Sequence, residues 1–558
     1  MTDYKDRQRQ VLALAAETAY KLPRLESGFW FHQDMRDNLY YAMHLYAACS
    51  DKTLELSFNR AEGLAAGASM LQAVLNLQVK DPQHPMYGHW PLNLGSDPRE
   101  AAPNTLPVEL LGSLIAWFHS RYEAYMTEEL RIGFEEAMRI IYLGNYYRKP
   151  AEQFGHHESK YTAQQLIWGE LFQDIPLAEE GRRNLKLLLS TIKQNGMREY
   201  GSLPWFWHWV QAFSAARGLV KDQETLRLLE DMLQYLWARR AEVYLRGAWA
   251  GPHSRVLPHD IPADRNNLID YVQFGDFALP ASISRLEAAG LLDFLPANTA
   301  VIAGAVNRRG QSEIKRLIPV NPVNITENSL HSYVFLTPDY ALGGIWERAE
   351  EYLNEQHRWD VTFPVRKDGT ANKAFFFHPG NGYAKGDPRH QSPFCEAVFH
   401  KNRAAALYAI PEEASSTAIA GVLPHGEWLF HQRLIVGQVD DVYLIFGLMQ
   451  DYTAESGPDY VEVHSEGRRN GVTVEVVDKS TAAALGLHDV ASVAEAAGRA
   501  AGGGWFQHRE EGSVTVDFAG IGDGPRLTLA IDGNGSLSRR HLDGQTVSFE
   551  DYTVPGLE

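Results

Sequence analysis

Gly251-Pro252-His253-Ser254-Arg255, followed by His259-Asp260 and Asn266-Asn267, is the stretch on which the reading of this 558-residue chain turns. It is a Gly/Pro-broken loop that stands where helix-like sequence gives way to strand-like sequence. It also gathers imidazole, guanidinium, carboxylate and amide groups, and loops on a rigid scaffold are where functional groups concentrate.

Upstream of this loop the apolar residues recur every three or four positions, the period of a helix with one buried face. Leu130, Phe134, Met138 and Ile141 share a face, as do Met70, Val74 and Leu77, then Leu185, Leu188 and Ile192, then Leu229, Leu233 and Leu236. Connections rich in Pro, Gly and aromatic residues, at 81–95, 149–157, 195–209 and 247–267, separate the helices. Their spacing of roughly fifty residues predicts helical hairpins arranged about an axis, with loops gathered on one rim.

Downstream the pattern changes to short β-branched or alternating runs: Val442-Tyr443-Leu444-Ile445-Phe446, Val472-Thr473-Val474, Val514-Thr515-Val516 and Leu527-Thr528-Leu529. Asp532-Gly533, Asn534-Gly535 and Asp543-Gly544 supply tight turns. One helix is expected over 490–501, stopped by Gly502-Gly503-Gly504. The predicted fold is therefore α+β and multidomain. An α/α toroid of helical hairpins occupies 1–316, and an antiparallel β-sandwich occupies 317–558.

Composition narrows the function. A chain 45% hydrophobic and 22% charged builds ordinary cores rather than disordered segments. Cys49 and Cys395 are the only cysteines, so neither a disulfide framework nor a cysteine metal site is expected. The opening Met1-Thr2-Asp3-Tyr4-Lys5-Asp6 lacks the apolar core of a secretory signal, and no apolar run is long enough to span a bilayer. A cytoplasmic protein without a membrane partner is the expectation. The net charge of −18 argues against nucleic acid, and any pocket for an acidic ligand must be locally basic.

Three constellations carry chemistry. In the opening loop His253 is suited to act as base or donor, Arg255 to grip a carboxylate with its planar fork, Asp260 to orient a histidine, and Asn266 or Asn267 to donate an amide N–H. The second runs from Glu199 and Tyr200 through Trp205, Trp207, His208 and Trp209, where aromatic faces can stack on sugar rings; the competing reading is a packed helix interface. The third holds His331 and Tyr333, then Tyr340 with Gly343-Gly344, and a tyrosine can be an acid or base; the plain alternative is alternating strand residues. His357, His378, His400 and His431 read as hydrogen-bonded structural residues.

Neither a phosphate-binding Gly-x-x-x-x-Gly-Lys-Ser/Thr loop nor a Gly-x-Ser-x-Gly nucleophile elbow is present, and no His-Glu-x-x-His element occurs. No cofactor is expected; a structural divalent metal held by His and Asp from distant segments is the open alternative.

The order of domains, together with residues 199–209, 251–255, 337–344 and Phe399-His400-Lys401-Asn402-Arg403, resembles the polysaccharide lyases of the heparinase II/III-like group. What the resemblance implies is β-elimination at a uronic acid: the sugar carboxylate is neutralised, the C5 proton is removed, and the oxygen leaving C4 is protonated. Carried onto this chain, it implies carboxylate recognition by Arg255 with His208 or Asn267, and His253 as base or neutraliser. It further implies Tyr340 or Tyr333 as acid, and His331 as the histidine supplied by the β domain. Tyr200, Trp205, Trp207 and Glu199 are expected to contact the substrate, an acidic oligosaccharide. Pro204-Trp205 stands where that group carries an Asn-His or Asn-Trp pair. Two other readings compete: a glycoside hydrolase using two of Glu109, Glu199, Asp260 and Asp270, and a glycan-binding protein without catalysis.

Overall fold

The computed structural model describes residues 3–320, 329–348, 356–508 and 512–554. The chain is mixed α+β, with a helical N-terminal region followed by antiparallel sheets. Nine helices lead the chain among the described residues: α1 (Tyr4–Lys21), α2 (Met35–Ser50), α3 (Arg60–Leu75), α4 (Leu106–Tyr122), α5 (Glu128–Gly144), α6 (His156–Leu171), α7 (Ile175–Asn195), α8 (Leu203–Arg217) and α9 (Gln223–Glu242).

The helices divide by how they bury themselves. In α5, Leu130, Phe134, Met138 and Ile141 form one buried stripe; the Thr127 side chain caps its start, and Asn145 ends it in the left-handed conformation. α8 is different, because every residue from Phe206 to Ala216 is buried, the signature of a helix surrounded by protein. α2, α4, α6 and α8 pack on one another, while α3, α5, α7 and α9 lie against them from outside. α1 returns to the end of the helical region by packing on α10 (Leu268–Gln273), where Arg7 Nε donates to Val272 O at 2.9 Å. The buried ion pair of Arg240 with Asp270, 2.7 Å apart and both fully enclosed, fixes that closure to α9.

An eight-stranded antiparallel sheet begins with β1 (Ser312–Pro319), β2 (Ser329–Leu336), β3 (Ala341–Ile345), β4 (Trp359–Thr362) and β5 (Lys373–Phe377). It continues through Ala418–Leu423, Val461–Glu466 and Tyr452–Ser456. Successive side chains of a strand point to opposite faces, so each strand splits its residues between two environments. Ile314, Val334, Leu336 and Ala341 meet Leu245 and Ala250 of the helical region, and Phe375 and Phe377 meet Val256 and Ile261. Tyr333, Phe335, Tyr340, Leu342 and Trp359 point the other way, into a core shared with a six-stranded antiparallel sheet. The helix expected near 490 is present as Val490–Ala500. Among the described residues no helix is long and apolar enough to cross a membrane.

Candidate functional site

Loop 251–267 lies between the start of α8 and the eight-stranded sheet, and two glycines let it fit. Gly201 has φ +62°, and a Cβ there would lie 2.2 Å from Pro252 O and 2.5 Å from the His253 Cα. Gly251 has φ +100° and would place a Cβ 2.4 Å from Val334 Cγ2. The loop is then tied to the sheet by His357 N, which donates to His253 O at 2.9 Å. G201A is expected to lower stability by about 1–3 kcal/mol, because both the left-handed backbone and the contact penalise a side chain. Chemical denaturation checks this, and an unchanged midpoint would contradict the close approach.

The inner helices bring their first turns to this loop. α6 begins with His156 and His157, Lys160 follows one turn later, and α4 contributes Glu109. Four imidazole–carboxylate pairs result. His156 Nδ1 is bonded to Glu199, whose other oxygen accepts from Trp209 Nε1 at 2.8 Å. His157 Nδ1 lies 2.8 Å from Glu109, which also holds Lys160 Nζ at 2.5 Å and Tyr161 Oη at 2.7 Å. His208 Nε2 lies 3.2 Å from Glu287, itself paired with Arg285 and Gln211. His253 Nδ1 lies 3.3 Å from Asp360 Oδ2.

Trp205 joins the first and third of these pairs. Its ring stacks on His156 at 4.9 Å and meets His208 edge-on at 5.4 Å, while the Arg255 guanidinium sits 5.1 Å from its centre. The Arg255 carbonyl accepts from Trp205 Nε1 at 3.0 Å and from Ser202 Oγ at 3.1 Å, so both halves of this contact are fixed. Arg255, Trp205, Tyr200 and Glu199 line a small cleft between the helical region and β1–β2.

Burial sets the protonation states. It lowers His156 to about 4 and His208 to about 3, against the raising influence of their carboxylates, and lowers His357 to about 3. Burial and the charge of Lys373 lower His253 as well. These imidazoles are neutral at pH 7 and have a lone pair to offer. Burial pushes the Glu199 carboxyl up, but hydrogen bonds from the His156 side chain, Trp209 and the His156 backbone help outweigh it and bring it down to about 2. Asp260 behaves oppositely: burial, helped by Asp264, raises it to about 8.

A stability profile follows. Between about pH 6.5 and 4 the unfolded chain takes up protons that the buried His44, His156, His208, His253, His259 and His357 refuse, so stability falls as pH falls through that window. Asp37 and Asp260, raised to about 7 and 8, and Asp270, raised to about 6, act in the other direction, because folding retains protons the unfolded chain loses as pH rises. The histidines outnumber them, so the melting temperature is expected to peak near neutrality, with its steeper limb on the acid side. A melting temperature that rises from pH 7 to pH 5 would contradict these burials.

The structure places Glu199, Tyr200, Trp205 and Arg255 from the two predicted motifs on one cleft, with His208 packed against Trp205 outside that lining, while His253 turns to Asp360 and His357. Trp207 is in the core instead, with its ring 6.0 Å from Trp237 and its Nε1 donating to Asn266 O at 2.8 Å, so it has no face to offer a ligand. Asn267 is buried beside Asp264, whose carbonyl it bonds at 2.9 Å, and it lines a different cleft. His331, Tyr333 and Tyr340 do not meet His253. All three lie on the face of the eight-stranded sheet turned away from the helical region: His331 stacks on Phe549 at 4.1 Å, and Tyr333 bonds Glu313 and Lys401 N. Tyr340 is buried in the inter-sheet core, 6.2 Å from Phe335.

The chain matches no family model and no curated protein.

Several residues at the site were not singled out from sequence. His156, His157 and Lys160 had a usable signal, a histidine doublet with a lysine one turn on at the start of a helix. From sequence His357 reads as a structural histidine. It lies against His253, with ring centres 6.4 Å apart, and its Nδ1 bonds Gln391 Nε2 at 2.9 Å. Lys373, fully buried on the helix-facing side of β5, pairs with Asp264 at 2.9 Å and acts electrostatically on His253 and Asp360. Asp260 Oδ2 is 3.7 Å from His259 Nε2. Among the described residues no three His, Cys, Asp or Glu side chains are grouped so as to hold a metal ion.

Proposed function

We propose that this protein is a carbon–oxygen lyase that cleaves a uronate-containing oligosaccharide by β-elimination, on an α/α toroid stacked against an antiparallel β-sandwich. The observation that carries the reading is the set of carboxylate-oriented, neutral imidazoles packed around Trp205 with the Arg255 guanidinium on the same ring.

Each part has a physical role. Arg255 pairs with the sugar carboxylate and offsets the negative charge that develops on it when the adjacent carbon loses its proton. The N-terminal ends of the inner helices add a favourable field for an anion. Trp205 supplies the face on which the ring lies. His208 takes the C5 proton: Glu287 holds Nε2, so that nitrogen carries the hydrogen, and Nδ1 is left as an acceptor with no hydrogen-bond partner. The C5–H electron pair becomes the C4=C5 double bond, the C4–O bond breaks, and the departing oxygen takes a proton from Tyr200. The Tyr200 hydroxyl accepts from Gln356 Nε2 at 3.1 Å and lines the same cleft as Arg255. Tyr200 replaces Tyr333 and Tyr340 in this role because it is on the side of the sheet that faces the helices.

A hydrolase needs one protonated and one ionised carboxyl across the scissile bond. Glu109 and Glu199 are each engaged by cationic or imidazole partners, and Asp270 is locked to Arg240. Asp260 keeps a proton near neutrality, but Glu109, Glu199 and Asp270 leave it no unengaged carboxylate partner. Imidazole chemistry is therefore the stronger reading. The test is a panel of uronate oligosaccharides and the same oligosaccharides with their carboxylates reduced to alcohols. Cleavage confined to the carboxylated set is expected, and equal cleavage of the reduced set would overturn the proposal.

A further inference from the structure

α7 packs on α6 and α9, burying Leu177, Leu185, Leu188 and Ile192, and leaves its other side to solvent. Four residues run along that outer side at every fourth position: Ile175, Glu179, Arg183 and Leu187. Ile175 is 68% exposed and Leu187 45%. Glu179 and Arg183 are exposed too, and neither makes an ion pair among the described residues, whereas Arg182 and Lys186 beside them reach Glu224.

A single exposed leucine or isoleucine is ordinary, and it is the order of the four that carries the argument. Ile175 and Leu187 stand six residues to either side of Gly181, and Glu179 and Arg183 two. Read from either end the ridge runs apolar, charged, charged, apolar, with its two charges opposite in sign. An antiparallel copy related by a twofold axis level with Gly181 therefore sets Ile175 against Leu187 and Glu179 against Arg183, each twice. An isologous interface needs a surface that is its own complement, and this ridge meets that condition; an unrelated partner would not require it. Ridges of residues four apart interleave in the commonest class of helix packing, at a crossing of about −50°. The start of the helix adds apolar surface beside Ile175: Phe172 stacks on Tyr142 at 4.2 Å, and Leu143, Leu171 and Phe172 are all partly exposed there.

We propose that two copies of this chain pair through the outer face of α7, antiparallel about that axis, with the apolar ends supplying contact and the two Glu179–Arg183 pairs fixing direction and register. One helix face with this border falls short of the roughly 800 Å² per partner of a standard interface, so the dimer is weak, with a Kd of about micromolar order. None of the four residues lines the Arg255 cleft, and the pairing does not rest on the elimination reaction.

The experiment is sedimentation velocity of the full chain over concentrations that bracket a micromolar Kd. A monomer–dimer equilibrium is expected. E179R and R183E each turn two attractive contacts into two repulsive ones and are expected to weaken the dimer by about tenfold. E179R/R183E restores opposite charges across the axis and is expected to recover the parent Kd. L187D is expected to leave a monomer. All these positions are exposed, so each variant is expected to keep the parent melting temperature. A parent chain that stays monomeric throughout, a dimer indifferent to R183E or to L187D, or a double variant as weak as the single ones would each overturn the assignment.

Discussion

K373M is expected to destabilise the protein by about 3–5 kcal/mol, the range for removing one partner of a buried ion pair. Lys373 is 0% exposed, and its Nζ is 2.9 Å from Asp264 Oδ2, 3.1 Å from Trp249 O and 3.5 Å from Thr362 Oγ1. Methionine fills much of the same volume but neutralises nothing, so the buried Asp264 and Asp360 both lose their cation. These contacts also join the strand to the helical region, because Trp249 and Asp264 lie in the connection 247–267 and Lys373 in β5. The double variant K373M/D264N removes one stranded charge and is expected to recover part of the loss. Denaturant unfolding measures both, and a cost below about 1 kcal/mol for K373M would show that the pair is not enclosed as described.

H208A is expected to lower kcat on a uronate oligosaccharide by about 10²–10⁴-fold, the contribution of a positioned general base. Its melting temperature should move far less than that of K373M, since Glu287 keeps Arg285 and Gln211 as partners. E287Q leaves the imidazole in place but loosens its tautomer and is expected to cost less than H208A. Y340F and Y333F serve as the contrast. Both hydroxyls are on the far face of the sheet, so both variants are expected to turn over substrate at the wild-type rate; a large loss in either would relocate the site.

The helical half was legible because its apolar period is regular: the stripes at 130–141, 185–192 and 229–236 are all buried as read. The strands at 442–448, 472–477, 514–518 and 527–531 were legible for the complementary reason, their short β-branched runs. What could not be read was which face of a strand meets which neighbour. Tyr333 and Val334 are adjacent in sequence, yet one packs between the sheets and the other against Ala250. That choice is made by the register of the sheet and by its docking on the helices, and a shift of one residue would exchange the two. The same ambiguity hid His357, whose partner His253 is more than a hundred residues away and is reached only through a single backbone bridge. Arg255 and Trp205 were easier, because each lies in a loop or helix start whose composition was already unusual, and Gly201 brings those two segments into contact.

The most direct test of the central claim is the chemistry of the product. Elimination leaves a double bond conjugated to the carboxylate, so each new reducing end must be matched by one ultraviolet-absorbing unsaturated uronate. The account predicts equal molar yields of the two from a uronate oligosaccharide, falling together in H208A. Reducing ends that accumulate without the unsaturated chromophore would mean hydrolysis and would contradict it.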